Sequence, residues 1–146
     1  MDKVIKSYGM KISKKSKSKI FYYIRRDLVG YGKMDVLMND VNVEDISLDG
    51  TGVPIFAYHR KFESVETTCV WNTDDELESY VIKLAQRCGK HISVADPLLD
   101  ATLMDGSRIV MKLGREVSTR GSSFCIRRFK DDPFSPADIV AFRTMS

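Results

Sequence analysis

Apolar and polar residues alternate along several short segments of this 146-residue chain, a pattern typical of half-buried β-strands. Three segments follow one another with glycine or polar breaks between them: residues 44–50, 53–60 and 64–71. In the second segment, Val53, Ile55 and Ala57 share one face, while Phe56 and Tyr58 share the other. Short alternating strands joined by short turns predict an antiparallel meander.

Residues 74–88 instead repeat with the period of an amphipathic helix. Thr73 and Glu76 form a T-x-x-E capping box, and Gly89 suits the position after the helix end. The apolar positions fall at i, i+3, i+4, i+7, i+8 and i+11: Leu77, Tyr80, Val81, Leu84, Ala85 and Cys88. This spacing predicts a helix with one buried stripe.

Two further alternating segments, residues 107–113 and 123–128, predict a pair of strands in one sheet. Their inward-facing residues are Ile109, Met111, Phe124 and Ile126. If Ile109 lies opposite Ile126, the same register places Arg108 opposite Arg127 on the other face. Like charges directly opposite one another are unfavourable unless an anion or a carboxylate lies between them.

The remaining segments are less regular. Residues 20–29 are rich in aromatic and β-branched side chains, which favours a strand. Residues 31–38 predict a short helix ending near Asn39, and residues 98–103 lead into a turn at Asp105-Gly106. Residues 1–19 are lysine-rich and favour either a solvated leader or a docking patch for an acidic membrane or nucleic acid. Together the elements predict an α+β fold.

The net charge of +3 hides regions of opposite sign. Residues 1–19 carry seven lysines against one aspartate, and residues 108–130 carry seven basic residues against one glutamate. Residues 20–107 carry fifteen acidic and eight basic residues, and residues 131–146 are also net acidic. The chain therefore combines an acidic domain with a basic leader and a basic hairpin, so its overall pI does not by itself indicate nucleic-acid binding.

Several classes of protein are disfavoured by what the sequence contains. No apolar run reaches the roughly 20 residues of a membrane helix, and the lysine-rich start lacks the apolar core of a secretory signal, which favours the cytoplasm. Cys69, Cys88 and Cys125 lack the spacing of a disulfide framework or zinc site, so we expect no metal and interpret them as buried or half-buried apolar residues. His59 and His91 are expected at the surface or in capping roles.

The basic hairpin holds the candidate chemistry: Arg108, Arg115, Arg120, Arg127 and Arg128. Arginine offers a planar fork of donors that matches phosphate oxygens and stays charged at any working pH. The chain contains neither a G-x-x-x-x-G-K-[ST] loop nor a G-x-G-x-x-G turn, so the usual phosphate cradles are missing. From the residues alone, structural ion pairs with nearby acids and contacts with a phosphate remain equal alternatives.

Several longer segments of the sequence resemble those of a known family. They are DPLLDATLMDGSRI, STRGSSFCIRRF, DPFSPADIVAFRTMS, YYIRRDLVGYGKMDVLMNDVNVEDISLDG, PIFAYHRKF and VIKLAQRCGKHIS. In order and spacing, from about Tyr22 to Ser146, they resemble the amino-terminal domain of the type II and type IV secretion ATPase superfamily. The archaeal branch, with GspE-like proteins and the archaellum motor ATPase, is the most similar.

The resemblance implies a PAS-like antiparallel sheet with helices packed on one face. It implies a division into a leader (1–19), an amino-terminal domain (20–132) and the start of a linker helix (133–146) towards a RecA-like ATPase core. The implied partners are that core, neighbouring subunits of a homohexamer and a membrane platform protein of the secretion or archaellum machine, with no specific nucleic acid. The implied location is cytoplasmic, peripheral at the inner face of the cell membrane.

The resemblance also implies roles for individual arginines. The family's DGSR arginine corresponds to Arg108 and that of its I-R-[KR]-F word to Arg127, both reaching nucleotide phosphates; Arg115 and Arg120 are further contacts carried over less securely. The chain departs from the family by ending at Ser146 without Walker motifs. We therefore expect a non-catalytic domain that couples hydrolysis to ring motion, with no cofactor of its own, while ATP and Mg²⁺ belong to the full-length family. The alternative function is a nucleic-acid-binding module that uses the basic hairpin and the lysine tail.

Overall fold

The computed structural model describes residues 13–129. By compactness the chain divides into two units, residues 1–40 and residues 41–146. The first unit contains helix α1 (Lys14–Leu28), a 3₁₀ turn (Gly32–Met34) and helix α2 (Asp35–Asn39). The short helix predicted near residues 31–38 is therefore confirmed, and it ends at the predicted place.

Residues 20–29 were predicted as a strand, and this prediction is wrong. Residues 20–28 instead form the second half of α1, whose N-cap is Ser13; its hydroxyl accepts a hydrogen bond from the Ser16 amide at 3.2 Å. Aromatic and β-branched composition expresses only a local preference, and here a capped helix begins in the lysine-serine run and continues through it. Helix α1 thus crosses the predicted boundary between residues 19 and 20, whereas the boundary at residue 132 lies outside the described residues.

The second unit contains a six-stranded antiparallel sheet with the order β3-β2-β1-β6-β5-β4, together with helix α3 (Asp74–Arg87). The strands are β1 (Val43–Leu48), β2 (Pro54–His59), β3 (Glu63–Val70), β4 (Leu98–Thr102), β5 (Arg108–Lys112) and β6 (Ser123–Arg127). Strands β1 to β3 form the predicted meander, and the α+β class is confirmed. Strand β4 was not predicted, because its five residues, LLDAT, do not alternate clearly between apolar and polar.

The register predicted for the β5–β6 hairpin is confirmed. Ile109 pairs with Ile126, Met111 with Phe124, and Arg108 with Arg127. The pairing of β1 with β6 joins the meander to the hairpin and places Asp45 opposite Arg127. This contact joins residues more than eighty positions apart, so it could not be read from local sequence.

Helix α3 supplies the apolar stripe of the core. Its Thr73 cap is formed, since the Thr73 hydroxyl accepts a hydrogen bond from the Glu76 amide at 3.4 Å. Leu77, Val81 and Leu84 are buried, as are the inward-facing residues of the hairpin. At the middle of the helix, the rings of Tyr80 and Trp71 lie 4.9 Å apart, and each lies 6.1 Å from Phe124. The core therefore lies on one face of the sheet, and Arg108 and Arg127 lie on the other.

Candidate functional site

The turn before β5 determines the position of Arg108 at the start of that strand. The carboxylate of Asp105 accepts a hydrogen bond from the Ser107 amide at 3.1 Å and another from the Ser107 hydroxyl at 2.8 Å. The same hydroxyl accepts a hydrogen bond from the Phe129 amide at 3.2 Å. Ser107 is buried, and its polar groups are hydrogen-bonded within the turn. Arg108 follows as the first residue of β5, on the outer face.

The pairing of β6 with both β1 and β5 brings Arg127 next to Arg108, beside a bulge in β1. Val43 pairs with His59 but Asp45 pairs with Tyr58, so Glu44 is an additional residue in β1. The carbonyl oxygen of Glu44 accepts a hydrogen bond from the Arg128 amide at 2.8 Å, which extends the contact between β1 and the end of β6. Asp45, Arg127 and Arg108 then form one row across three neighbouring strands.

Carboxylates from the acidic part of the chain bind both arginines of this row. Arg108 donates from Nε and Nη2 to the two oxygens of Asp100 at 3.1 and 2.6 Å. Arg127 donates from Nε to Asp45 Oδ1 at 3.1 Å. The ion-pair alternative is therefore realised, and these carboxylates relieve the repulsion between the two arginines.

These pairs leave both arginines accessible. The Arg108 and Arg127 side chains remain 71% and 81% exposed. A guanidinium has five N–H donors, of which Asp100 engages two on Arg108 and Asp45 engages one on Arg127. The remaining donors can bind a further anion without breaking either ion pair.

The pKa values of the Arg108 pair shift in the directions expected for an ion pair. The hydrogen bonds from Arg108 are the main cause that lowers the pKa of Asp100. Desolvation, the second-largest effect, opposes this, and the charges of Arg108 and Lys90 lower the pKa further. The Asp100 hydrogen bond likewise raises the pKa of Arg108. Both groups therefore stay charged at neutral pH.

An open groove of about 430 Å³ lies beside the arginine pair. We call it the arginine groove; it is lined by Glu44, Asp45, Gly106, Arg108, Arg127, Arg128 and Phe129. Its lining holds three arginines and two carboxylates, and Asp100 pairs with Arg108 from outside the lining, so positive and negative charges nearly balance there. The exposed ring of Phe129 packs against the Gly106 backbone and adds an apolar wall. An anion attached to a flat ring would suit such a lining.

The structure does not bring all the predicted arginines together. Arg115 and Arg120 lie in the loop after β5, beyond the far end of a strand that extends about 13 Å from Arg108. There, Arg115 Nε donates to Asp74 Oδ2 at 2.7 Å, and the Arg120 carbonyl accepts from the Thr51 amide at 2.9 Å. One phosphate chain bound at Arg108 would not also reach these two residues in the conformation observed.

Asp74 is the centre of this second cluster. It is the first residue of α3, and it accepts a hydrogen bond from the Thr51 hydroxyl at 2.5 Å as well as from Arg115. The Thr51 hydrogen bond is the largest cause that lowers the pKa of Asp74, and Arg115 lowers it further. The cluster holds the β5–β6 loop against the β1–β2 turn and the start of α3. Its contacts indicate a structural role for Arg115.

Sequence reasoning missed the residues that complete the arginine groove. Asp45 and Asp100 gave no local signal, because each is an ordinary outward-facing residue of its strand. Phe129 could have been noticed as an aromatic residue next to two arginines. Cys125 is exposed on the outer face, contrary to the prediction, because it alternates with the buried Phe124 and Ile126. Cys69 and Cys88 are half-buried, as predicted.

Residues 13–129 contain neither a candidate membrane-spanning helix nor a candidate metal-binding cluster. No helix in this range combines the length and the hydropathy needed to cross a membrane. Within the same range, no three His, Cys, Asp or Glu side chains are grouped as metal ligands.

Comparisons with known proteins give relatives without a described function. No family model matches the chain. It is 48% identical to the uncharacterized protein MJ1288 of Methanocaldococcus jannaschii over 103 residues, covering 70% of the chain and 41% of the relative. It is 35% identical to the uncharacterized protein MJ0900 of that organism over 137 residues, covering 94% of the chain and 25% of the relative. The chain therefore spans less than half the length of these relatives.

The fold is similar to part of a solved structure. The VirB11 ATPase of the Brucella suis type IV secretion system, solved in complex with sulphate, matches with a TM-score of 0.59 at 18% identity. The match covers 77% of this chain and 34% of the VirB11 chain. At this identity the similarity concerns the fold.

Proposed function

We propose that this chain is a non-catalytic domain of a secretion-type motor ATPase, and that the arginine groove contacts the phosphates of a nucleotide bound by an ATPase core. The observation that carries the proposal is the row of Arg108 and Arg127, both exposed and both with unused donors. The likeness of the fold to part of VirB11 supports the choice of protein class.

The chemistry proposed for the groove is electrostatic. In phosphoryl transfer to water, negative charge spreads over the γ-phosphate oxygens, and added arginines stabilise that charge. The Asp45 and Asp100 carboxylates hold the guanidinium groups in place before the nucleotide arrives, which lowers the entropic cost of contact. Because the sequence has no Walker motif, the core supplies the P-loop lysine and the Mg²⁺ ligands.

A titration of this chain with triphosphate tests the site. We expect ATP and inorganic triphosphate to shift the Nε–H resonances of Arg108 and Arg127 in NMR spectra, with dissociation constants of about a millimolar because no P-loop contributes. Arg108→Gln and Arg127→Gln should each weaken binding several-fold. Arg120→Gln is the matched control, since its side chain lies in the distant loop.

Two results would contradict the assignment. One is a triphosphate titration that leaves both arginine resonances unmoved, and the other is equal weakening by Arg120→Gln. Turnover of ATP by the chain alone would contradict the non-catalytic role. The protein class is tested separately: a G-x-x-x-x-G-K-[ST] loop is expected within roughly a hundred residues after this sequence in the full-length polypeptide.

A second candidate function follows from Phe129. Its side chain is 61% exposed in the same groove as three arginines, and such a pairing also suits a stacked base of single-stranded nucleic acid. In that case, single-stranded DNA would bind with steep salt dependence and Phe129→Ala would weaken it strongly. We favour the nucleotide because one exposed ring, in a groove whose arginines and carboxylates nearly balance in charge, provides little for a long polyanion.

A further inference from the structure

Helix α1 exposes a continuous apolar strip. Ile20, Phe21, Ile24 and Leu28 lie at i, i+1, i+4 and i+8, so they share one side of the helix. All four are exposed, with Phe21 at 55% and Leu28 at 72%. Tyr22 and Tyr23 are also exposed, and their rings meet edge to face at 5.6 Å. Six large apolar or aromatic side chains exposed on one helix form an unusual surface for a domain that meets only water.

The opposite side of α1 is basic. Lys15, Lys19 and Arg26 are spaced by four and seven residues and therefore lie on one side, about half a turn from the apolar strip. Tyr22 lies on this side as well, and Lys17 lies one turn before Ile20 on the side of the strip. The whole helix has six basic residues and one acidic residue, Asp27. The Arg26 guanidinium also lies over the Tyr23 ring, 4.9 Å from its centroid, which places an aromatic group between the two sides.

We propose that α1 binds flat in the interface of an anionic lipid bilayer, with Phe21, Ile24 and Leu28 entering the acyl region. A short helix with a lysine- and arginine-rich side, an apolar side containing phenylalanine and leucine, and low overall hydropathy has the composition of interfacial helices. The tyrosines suit the headgroup level, where aromatic residues collect. The proposal rests on α1 alone and is independent of the arginine groove.

The charge of α1 selects lipid over other partners. A second copy of the helix would bring the same excess of positive charge into contact, whereas anionic headgroups attract it. A nucleic-acid backbone would pair with the lysines and arginines but would leave the apolar strip in water. An anionic lipid surface satisfies both sides of the helix.

Vesicle co-sedimentation of the full chain tests the proposal. We expect binding to phosphatidylcholine vesicles containing about one third phosphatidylglycerol, and little binding to phosphatidylcholine alone. The double variant Phe21→Ser/Leu28→Ser should weaken binding about tenfold or more, because both side chains lose acyl contact. A Phe21→Trp variant should show a blue-shifted emission component only with the anionic vesicles.

A matched control distinguishes binding through the apolar strip from non-specific hydrophobic adsorption. Val36→Ser/Phe62→Ser removes two similarly exposed apolar residues elsewhere and should bind as the parent does. The proposal is overturned by absence of binding to anionic vesicles, or by unchanged binding of Phe21→Ser/Leu28→Ser. It is also overturned if that variant abolishes self-association in sedimentation velocity but leaves vesicle binding unchanged. Tighter binding of the chain to duplex DNA than to the vesicles would overturn it as well. Retained burial of Trp71, read from its emission, confirms that each variant is folded.

Discussion

Single carboxylates determine how the arginines of this sheet are oriented. Asp45, Asp74 and Asp100 each hold one arginine at 3.1 Å or less. Exposed ion pairs of this kind add little to stability, typically about 0–1 kcal/mol. Their effect is on geometry, because a held guanidinium presents its remaining donors in a fixed direction.

The neutral partner of Asp74, Thr51, is expected to lower the pKa of this carboxyl more than its charged partner, Arg115. Because the Thr51 hydrogen bond is the main cause of the lowered pKa, Thr51→Val should raise the pKa of Asp74 towards its ordinary value. Arg115→Gln should raise it less. Carboxyl NMR titration of the two variants measures both, with Thr68→Val, an exposed change in β3, as the control.

The same shift predicts a pH dependence of stability. A carboxyl whose folded pKa is lowered contributes stability above its unfolded value near 4, and the contribution is lost as the pH falls through the folded pKa. The destabilisation caused by Thr51→Val should therefore shrink as the pH drops from about 5 towards 2. A difference in unfolding free energy that stays constant over this range would contradict the role of the Thr51–Asp74 hydrogen bond.

Gly50 is expected to be intolerant of any side chain. Its φ is +133°, and a Cβ there would clash with the backbone of Arg120, where the β5–β6 loop packs on the β1–β2 turn. Gly50→Ala should lower the free energy of unfolding by about 2 kcal/mol or more. Gly52→Ala is the control: its φ is +75° but the space around it is open, so the cost should stay near 1 kcal/mol. Urea unfolding followed by Trp71 emission gives both values.

At the scale of elements, α3 combines an explicit start signal with a clear buried stripe, and sequence reasoning identified it. Thr73→Ala should cost about 1 kcal/mol of stability, because the Glu76 amide loses its acceptor. Thr73→Asp should retain most of the stability, since aspartate also caps helices and favours the positive end of the dipole. Urea unfolding curves of the two variants measure this. Equal losses in both would indicate that Thr73 acts through packing instead.

Helix α1 shows the opposite case. Its aromatic and β-branched residues favour a strand locally, while its period of four, seen at Ile20, Ile24 and Leu28, fits a helix. The lysine-serine run in which the helix begins has no apolar period, so the start of the helix leaves no sign in the sequence. The Ser13 cap, visible only as one serine among several, decides where the helix begins.

At the scale of the whole molecule, the hairpin separates the arginines into two independent sites. Arg108 is the first residue of β5, and Arg115 lies in the loop that follows this strand. The two arginines pair with different carboxylates, Asp100 and Asp74. Arg108→Gln should weaken triphosphate binding and leave the pKa of Asp74 unchanged, whereas Arg115→Gln should do the reverse. In the double variant the changes in unfolding free energy should add within about 0.5 kcal/mol. Coupling well above that value would mean that the two ends communicate through the sheet.

Local sequence determined the elements whose signals are local. The meander, α3 and the register of the β5–β6 hairpin were all predictable, because burial on one face imposes a period and a register shift would turn the apolar residues towards water. The pairing of Arg108 with Arg127 followed from that register alone.

Only the tertiary structure decided what those arginines meet. The pairing of β1 with β6 brings Asp45 to Arg127, and the addition of β4 brings Asp100 to Arg108. Strand order depends on the packing of distant segments around a shared core, and no period in the chain encodes it. The four arginines that were predicted as one phosphate-binding group therefore form two separate sites in the fold. An extended strand keeps the residues at its two ends apart, even where their side chains are of the same type.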